Sequence, residues 1–143
     1  MNRRLLLQAG ATAALATLLP GAYAQTMGAK RQGIVIQVSD NDPAKWNLAL
    51  NNAKNLQDDV GAANVEIEIV AYGPGIGMLK LESPAGSRIA DAAKAGIKVT
   101  ACENTMRGQK LTKDDMLAGI SYVPAGVTEI MKKQHEGWAY LRP

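Results

Sequence analysis

The strongest constraint on this chain is a rhythm: short β-branched runs alternate with longer amphipathic stretches from Ile34 to the end. Ile34-Val35-Ile36-Gln37-Val38 is the first run, closed by the turn-forming Ser39-Asp40-Asn41-Asp42-Pro43. Ala44 to Val60 then predicts a helix. Trp46, Ala49, Leu50, Ala53, Leu56 and Val60 fall on one stripe, with Asn47, Asn51, Lys54, Asn55 and Asp58 opposite, and Gly61 stops it. Val65 to Tyr72 alternates at first, then turns fully apolar, a strand half exposed where it begins; Glu66 and Glu68 mark a wet or inter-subunit surface. Gly73-Pro74-Gly75-Ile76-Gly77 follows as a loop. Ser83-Pro84 opens a second helix, through Ile89, Ala92 and Ala93, that ends at Gly96.

Ile97 to Cys102 is a third strand, and Thr112-Lys113-Asp114-Asp115 has capping-box spacing for a short helix. Ile120 to Val123 is a fourth strand. Pro124 starts a helix carrying Val127, Ile130, Met131 and Gln134, Gly137 closes it, and Trp138 to Leu141 makes a fifth strand. Five strands alternating with helices imply right-handed crossovers and a mainly parallel sheet covered on both faces. The expected fold is therefore a three-layer α/β/α domain of flavodoxin-like size. Ligands of such sheets sit beyond the carboxyl ends of the strands. Those ends are Ser39-Asp40, Tyr72 to Gly77, Cys102 to Thr105, and Tyr122-Val123.

The first 24 residues stand outside this rhythm. Met1-Asn2-Arg3-Arg4 is basic, Leu5 to Leu19 is mostly apolar, and Ala22-Tyr23-Ala24 offers the small-x-small pattern of a signal-peptidase site. The apolar run of 15 residues is shorter than the roughly 20 needed to cross a bilayer. It is read as a cleavable export signal rather than a permanent anchor, with a periplasmic destination. The arginine pair leaves the twin-arginine and general secretion routes both open. Residues 25–143 form the remaining single domain.

That division also settles the charge. The whole chain carries 16 basic and 13 acidic side chains and a pI near 9.1, which invites a nucleic-acid partner. Removing Arg3 and Arg4 leaves 14 − 13 = +1, with no basic run interleaved with stacking aromatics. No nucleic-acid binding is expected. One Cys and one His exclude an internal disulfide and any zinc site of three or four Cys/His ligands, so no metal and no cofactor is expected.

Cys102, where the third strand hands over to Glu103-Asn104-Thr105-Met106, is the candidate catalytic residue. A thiol beside free N–H groups, with Arg107, Lys110 and Lys113 near in sequence, is held toward the thiolate, the form that attacks sulfane sulfur or carries it as a persulfide. The opposing reading is a small apolar side chain packed in the core. Gly73-Pro74-Gly75-Ile76-Gly77 lacks the Gly-Lys-Ser/Thr ending of a phosphate loop and is read as a tight turn on the rim of the site. Asp40 and Asp42 stand on the ligand-bearing edge as substrate contacts or an Asx turn. His135, with Lys132 and Lys133, suits the negative end of its helix.

Four segments resemble the DsrE-like family, in its small periplasmic branch. They are Ala71 to Ile76, Ala101 to Met106, Val123 to Val127, and Lys132 to Pro143. The resemblance implies a three-layer α/β subunit that assembles into homo-oligomers. In the family's sulfur-oxidation and tRNA-thiolation members one Cys accepts and passes on persulfide sulfur; by position that is Cys102, with the Gly73–Gly77 loop alongside. Those carriers are cytoplasmic and work in hetero-oligomers, whereas this chain carries an export signal. The expected function is an exported persulfide carrier, a sulfurtransferase if an enzyme, on Cys102, with Gly73, Gly75, Asn104, Thr105, Arg107 and Asp40 as binding residues. Its partners would be a sulfur donor or acceptor protein or a small sulfur compound. The alternative is a non-catalytic homo-oligomeric assembly or small-ligand-binding protein with Cys102 inert.

Overall fold

The computed structural model describes residues 31–143; the segment read as an export signal, with its expected cleavage site, lies outside the described residues. Strands β1 (Gln32–Val38), β2 (Val65–Ala71), β3 (Lys98–Cys102), β4 (Ser121–Val123) and β5 (Ala139–Leu141) form one sheet in the order β4-β3-β2-β1-β5, and every pairing is parallel. Helices α1 (Pro43–Val60), α2 (Gly86–Lys94), α3 (Glu103–Gly108) and α4 (Gly126–His135) make the connections. The alternation read from the sequence is thus observed, with the sheet wholly rather than mainly parallel.

The two faces of the sheet are built differently. Ile36, Val38, Val65, Ile67, Ile69, Ala71, Val99 and Ala101 join Trp46, Ala49, Leu50 and Ala53 of α1 and Ile89 of α2 in the main core. Because side chains alternate along a strand, the intervening residues face α4. There the buried apolar cluster is only Val35, Val70 and Ile130, with Tyr72 and Trp138 partly buried beside it. One crossover, from β4 through α4 to β5, carries the chain from one edge of the sheet to the other and covers this second face.

Glu68 is the main correction to the sequence reading. It is 0% exposed and points toward α4, where its Oε1 accepts from Thr100 Oγ1 at 2.7 Å and lies 3.2 Å from Lys98 Nζ. Glu66, two residues earlier on the same face at the start of the strand, stays exposed and lies 3.7 Å from Arg31. Alternation marked which residues share a face, but not that a helix covers the face carrying Glu68.

Helix ends follow local chemistry. Asp42 caps α1, accepting the Ala44 N–H at 2.9 Å, and Pro43 occupies the first turn. Gly137, at φ +89°, ends α4 in a Schellman motif: its N–H reaches Gln134 O and the Trp138 N–H reaches Lys133 O, both at 3.0 Å. Three boundaries differ from expectation. Residues Gly73–Leu79 form a 3-10 helix with Met78 and Leu79 fully buried. The Thr112 to Asp115 box closes a single 3-10 turn, Lys113–Asp115. Pro84 and Pro124 each precede their helix by two residues, since α2 starts at Gly86 and α4 at Gly126. Among the described residues no helix is long and apolar enough to cross a membrane.

Ile69, with no exposed surface at the centre of β2, tests this core. Ile69→Ala is expected to cost about 3 kcal/mol through lost burial and an unfilled cavity, measured as a lower urea midpoint with an unchanged slope.

Candidate functional site

Cys102 is the last residue of β3 and the N-cap of α3. Its residue is 5% exposed, so the thiol sits at the carboxyl rim of the sheet but beneath the surface. Two helices begin over it. The chain turns directly from β3 into α3, bringing the N–H groups of Asn104 and Thr105 toward Sγ, and α4 brings the N–H of Gly126. The approach of α4 is close enough to favour glycine. A Cβ on Gly126 would stand 3.1 Å from Tyr72 Cβ and Val70 Cγ1 and 3.3 Å from Cys102 Cβ, tighter than ordinary packing allows.

Thr105 completes the cradle. Its Oγ1 accepts the Gly73 N–H at 2.9 Å, which leaves its own proton for the Cys102 sulfur. Burial pushes the Cys102 thiol up, but the Thr105 hydroxyl and then the Gly126, Thr105 and Asn104 amides together outweigh it and hold the thiol below its ordinary value. The Asn104 N–H is shared, since it also reaches Pro124 O at 3.1 Å. The arrangement sets hydrogen-bond donors around a buried sulfur, which favours its ionised form.

The other predicted residues divide. Asn104, Thr105 and Gly73 gather at the sulfur's end of the sheet, and Gln109 Nε2 donates to Gly73 O at 3.3 Å. Gly75 has a packing reason to be glycine, because a Cβ there would lie 2.2 Å from Val38 O. Arg107 is exposed and donates to Asn104 Oδ1, while Lys113 Nζ stands 4.6 Å from the Tyr122 ring centroid. Arg107 and Lys113 are thus engaged elsewhere, and hydrogen bonds rather than these cations lower the thiol. Asp40 belongs to a different cluster. It follows β1, two strands and roughly 10 Å from the end of β3, and pairs with Lys45 at 3.0 Å and Arg142 at 3.5 Å. The Lys45 hydrogen bond, and after it the Lys45 and Arg142 charges, lower its carboxyl against the opposing effect of burial. Among the described residues no three His, Cys, Asp or Glu side chains gather to hold a metal ion.

Gly126 is the residue that sequence reasoning missed. Its signal is the run Pro124-Ala125-Gly126, small side chains where a helix must start close to another backbone.

Residues 31–143 match the DsrE/DsrF-like family. The chain belongs to that family. A protein of unknown function from Methanobacterium thermoautotrophicum, MTH1491, shares 34% identity and a TM-score of 0.75 over 78% of this chain and 99% of its own. The conserved protein of unknown function BT1422 from Bacteroides thetaiotaomicron has 13% identity and a TM-score of 0.63, over 78% of this chain and 95% of its own. The ychN protein of E. coli has 10% identity and a TM-score of 0.62, over 79% and 99%. At these last two identities the likeness is one of fold. No curated protein matches the chain.

Thr105→Val keeps the shape of the side chain and removes the hydroxyl. It is expected to raise the thiol pKa and slow alkylation of Cys102 at neutral pH by about tenfold, the value of roughly one hydrogen bond to an ionised group; Thr105→Ser is expected to stay near wild type. The depressed thiol also has a signature in stability. A group whose folded pKa lies below its unfolded value of about 8.5 stabilises the fold above that value and loses the contribution as pH falls through the folded pKa. The stability advantage of wild type over Cys102→Ser should therefore grow between neutral and alkaline pH in urea titrations.

Proposed function

We propose that the protein is an exported carrier of sulfane sulfur and that Cys102 is its acceptor. The observation supporting this most is the convergence of the α3 and α4 N-termini and the Thr105 hydroxyl on one buried sulfur. Hydrogen-bond donors without a nearby base suit a group that must be an anion before and after reaction. The Cys102 thiolate attacks the outer sulfur of a persulfide or polysulfide donor. A new S–S bond forms to Cys102, the donor's S–S bond breaks, and the electron pair leaves on the donor's thiolate. The oxidation level is conserved across the pair. The resulting Cys102 persulfide is itself anionic at its outer sulfur, which moves to an acceptor thiolate by the same exchange in reverse. Burial limits attack to narrow, chain-like donors.

Incubation of the protein with polysulfide, followed by intact-mass measurement, is expected to show addition of whole sulfur atoms that reducing agent removes and that Cys102→Ser abolishes. A wild-type protein that alkylates readily yet never gains sulfur would overturn the proposal.

A homo-oligomer is the second part of the reading, supported by the outer surface of α4. Val127 is 61% and Met131 48% exposed, one helical turn apart on the same face, more apolar surface than a lone surface helix needs to display. Val127→Lys with Met131→Lys is expected to shift the protein to a smaller species in sedimentation velocity, with its melting unaffected at the level of the single subunit. A wild type that sediments as a monomer would exclude it.

A further inference from the structure

The apolar grip on α4 is slight, with Ile130 as its one large buried side chain. Its other anchor stands at the opposite end from Cys102. The Schellman turn places Trp138 under Lys133, whose Nζ lies 4.3 Å from the indole centroid. The indole rests on β1 where Gly33 leaves room, since a Cβ at Gly33 would be 2.3 Å from the ring. From there Lys133, only 18% exposed, reaches to 3.8 Å from Glu68 Oε2. That oxygen is buried without a hydrogen bond, and Lys133 is the cation that faces it, while Lys98 faces the other oxygen at 3.2 Å.

We propose that the Glu68–Lys133–Trp138 cluster is a positioning device for Cys102: it fixes α4 along its axis over the sheet, and so sets how closely the Gly126 N–H approaches the sulfur. The inference rests on the reading of Cys102 as the working thiol. A helix is stiff along its axis, and Gly126 and Lys133 are separated by a rise of roughly 10 Å. A slide or tilt at one end is therefore delivered to the other. Neither end has slack, because a methyl group at Gly33 would overlap the indole and one at Gly126 would crowd Tyr72, Val70 and Cys102. Neutralising either member removes the ion pair between α4 and β2 while the remaining charge keeps its other partners, so the helix loses its tie to the sheet at this end. Lys98 from β3 also faces Glu68, while Glu129 and Glu136 face Lys133 from its own helix; these secure the charges but do not tie α4 to the sheet.

The decisive variant is Glu68→Gln, because the two explanations of any effect have opposite signs. Glu68 and the end of β3 are separated by about four residues of strand, roughly 13 Å. Removing a negative charge through space can only make the thiolate easier to form. Loosening α4 makes it harder. We expect the pH profile of Cys102 alkylation by iodoacetamide to move upward by about one unit in Glu68→Gln, with alkylation below the midpoint about tenfold slower. Lys133→Met should move it likewise, and more than Lys132→Met, which removes the same charge from the exposed neighbouring position. Lys133→Arg, retaining charge and reach, should recover most of the wild-type profile. A Glu68→Gln profile that is unchanged or moves downward overturns the proposal. Should that variant not fold, a Lys133→Met shift no larger than that of Lys132→Met overturns it equally. The readout is thiolate formation, not sulfur uptake. A protein that never loads sulfur can still pass this test, and one that loads normally can still fail it.

Discussion

The close approach of α4 to the carboxyl ends of β2 and β3 is the contact on which the site depends. Where Gly126 meets Tyr72, Val70 and Cys102 even a methyl group would press on its neighbours, and the missing side chain lets a backbone amide stand beside the sulfur. A thiol buried to this degree would ordinarily be driven neutral. Here the same burial brings four donors within reach and excludes the water that would compete for them. The fold therefore offsets its own desolvation cost, and does so with one hydroxyl and three main-chain amides.

The unequal faces of the sheet explain how such an approach arises. On the α1–α2 side, interlocking aliphatic side chains hold the helices at a distance set by their bulk. On the α4 side the strands offer Gly33, Thr100, Cys102 and Glu68, residues that are small or polar. The helix there is held by ion pairing and an aromatic ring as much as by apolar area. One face supplies stability, and the other supplies precision at a particular atom.

Much of this was legible in the sequence. The order and number of strands, the position of Cys102 at a strand end, and the stops at Gly61, Gly96 and Gly137 all follow from periodicity and turn chemistry, which are local properties. The family resemblance added the reading of the cysteine. What stayed hidden was non-local. Glu68 looks solvent-exposed because its neighbours alternate, and only the return of α4 across the sheet buries it. The cations after Cys102 suggested a field at the sulfur, yet Arg107 turns to Asn104 and Lys113 to Tyr122. Gly126 carries no chemistry of its own, and its importance comes from what approaches it in space. Asp40 shares the ligand-bearing edge with Cys102, but the strand order places β2 between them.

The edges of the sheet carry a consequence for assembly. Both are made by three-residue strands, β4 and β5, and only a few main-chain groups along them remain to pair with another chain. Strand-to-strand growth between subunits is thereby denied a template. In the proposed homo-oligomer the contact would fall to side chains, and Val127 and Met131 stand exposed on the back of the helix whose front end serves the thiol. An assembly built that way would load mechanically the one element on which the cysteine's reactivity turns.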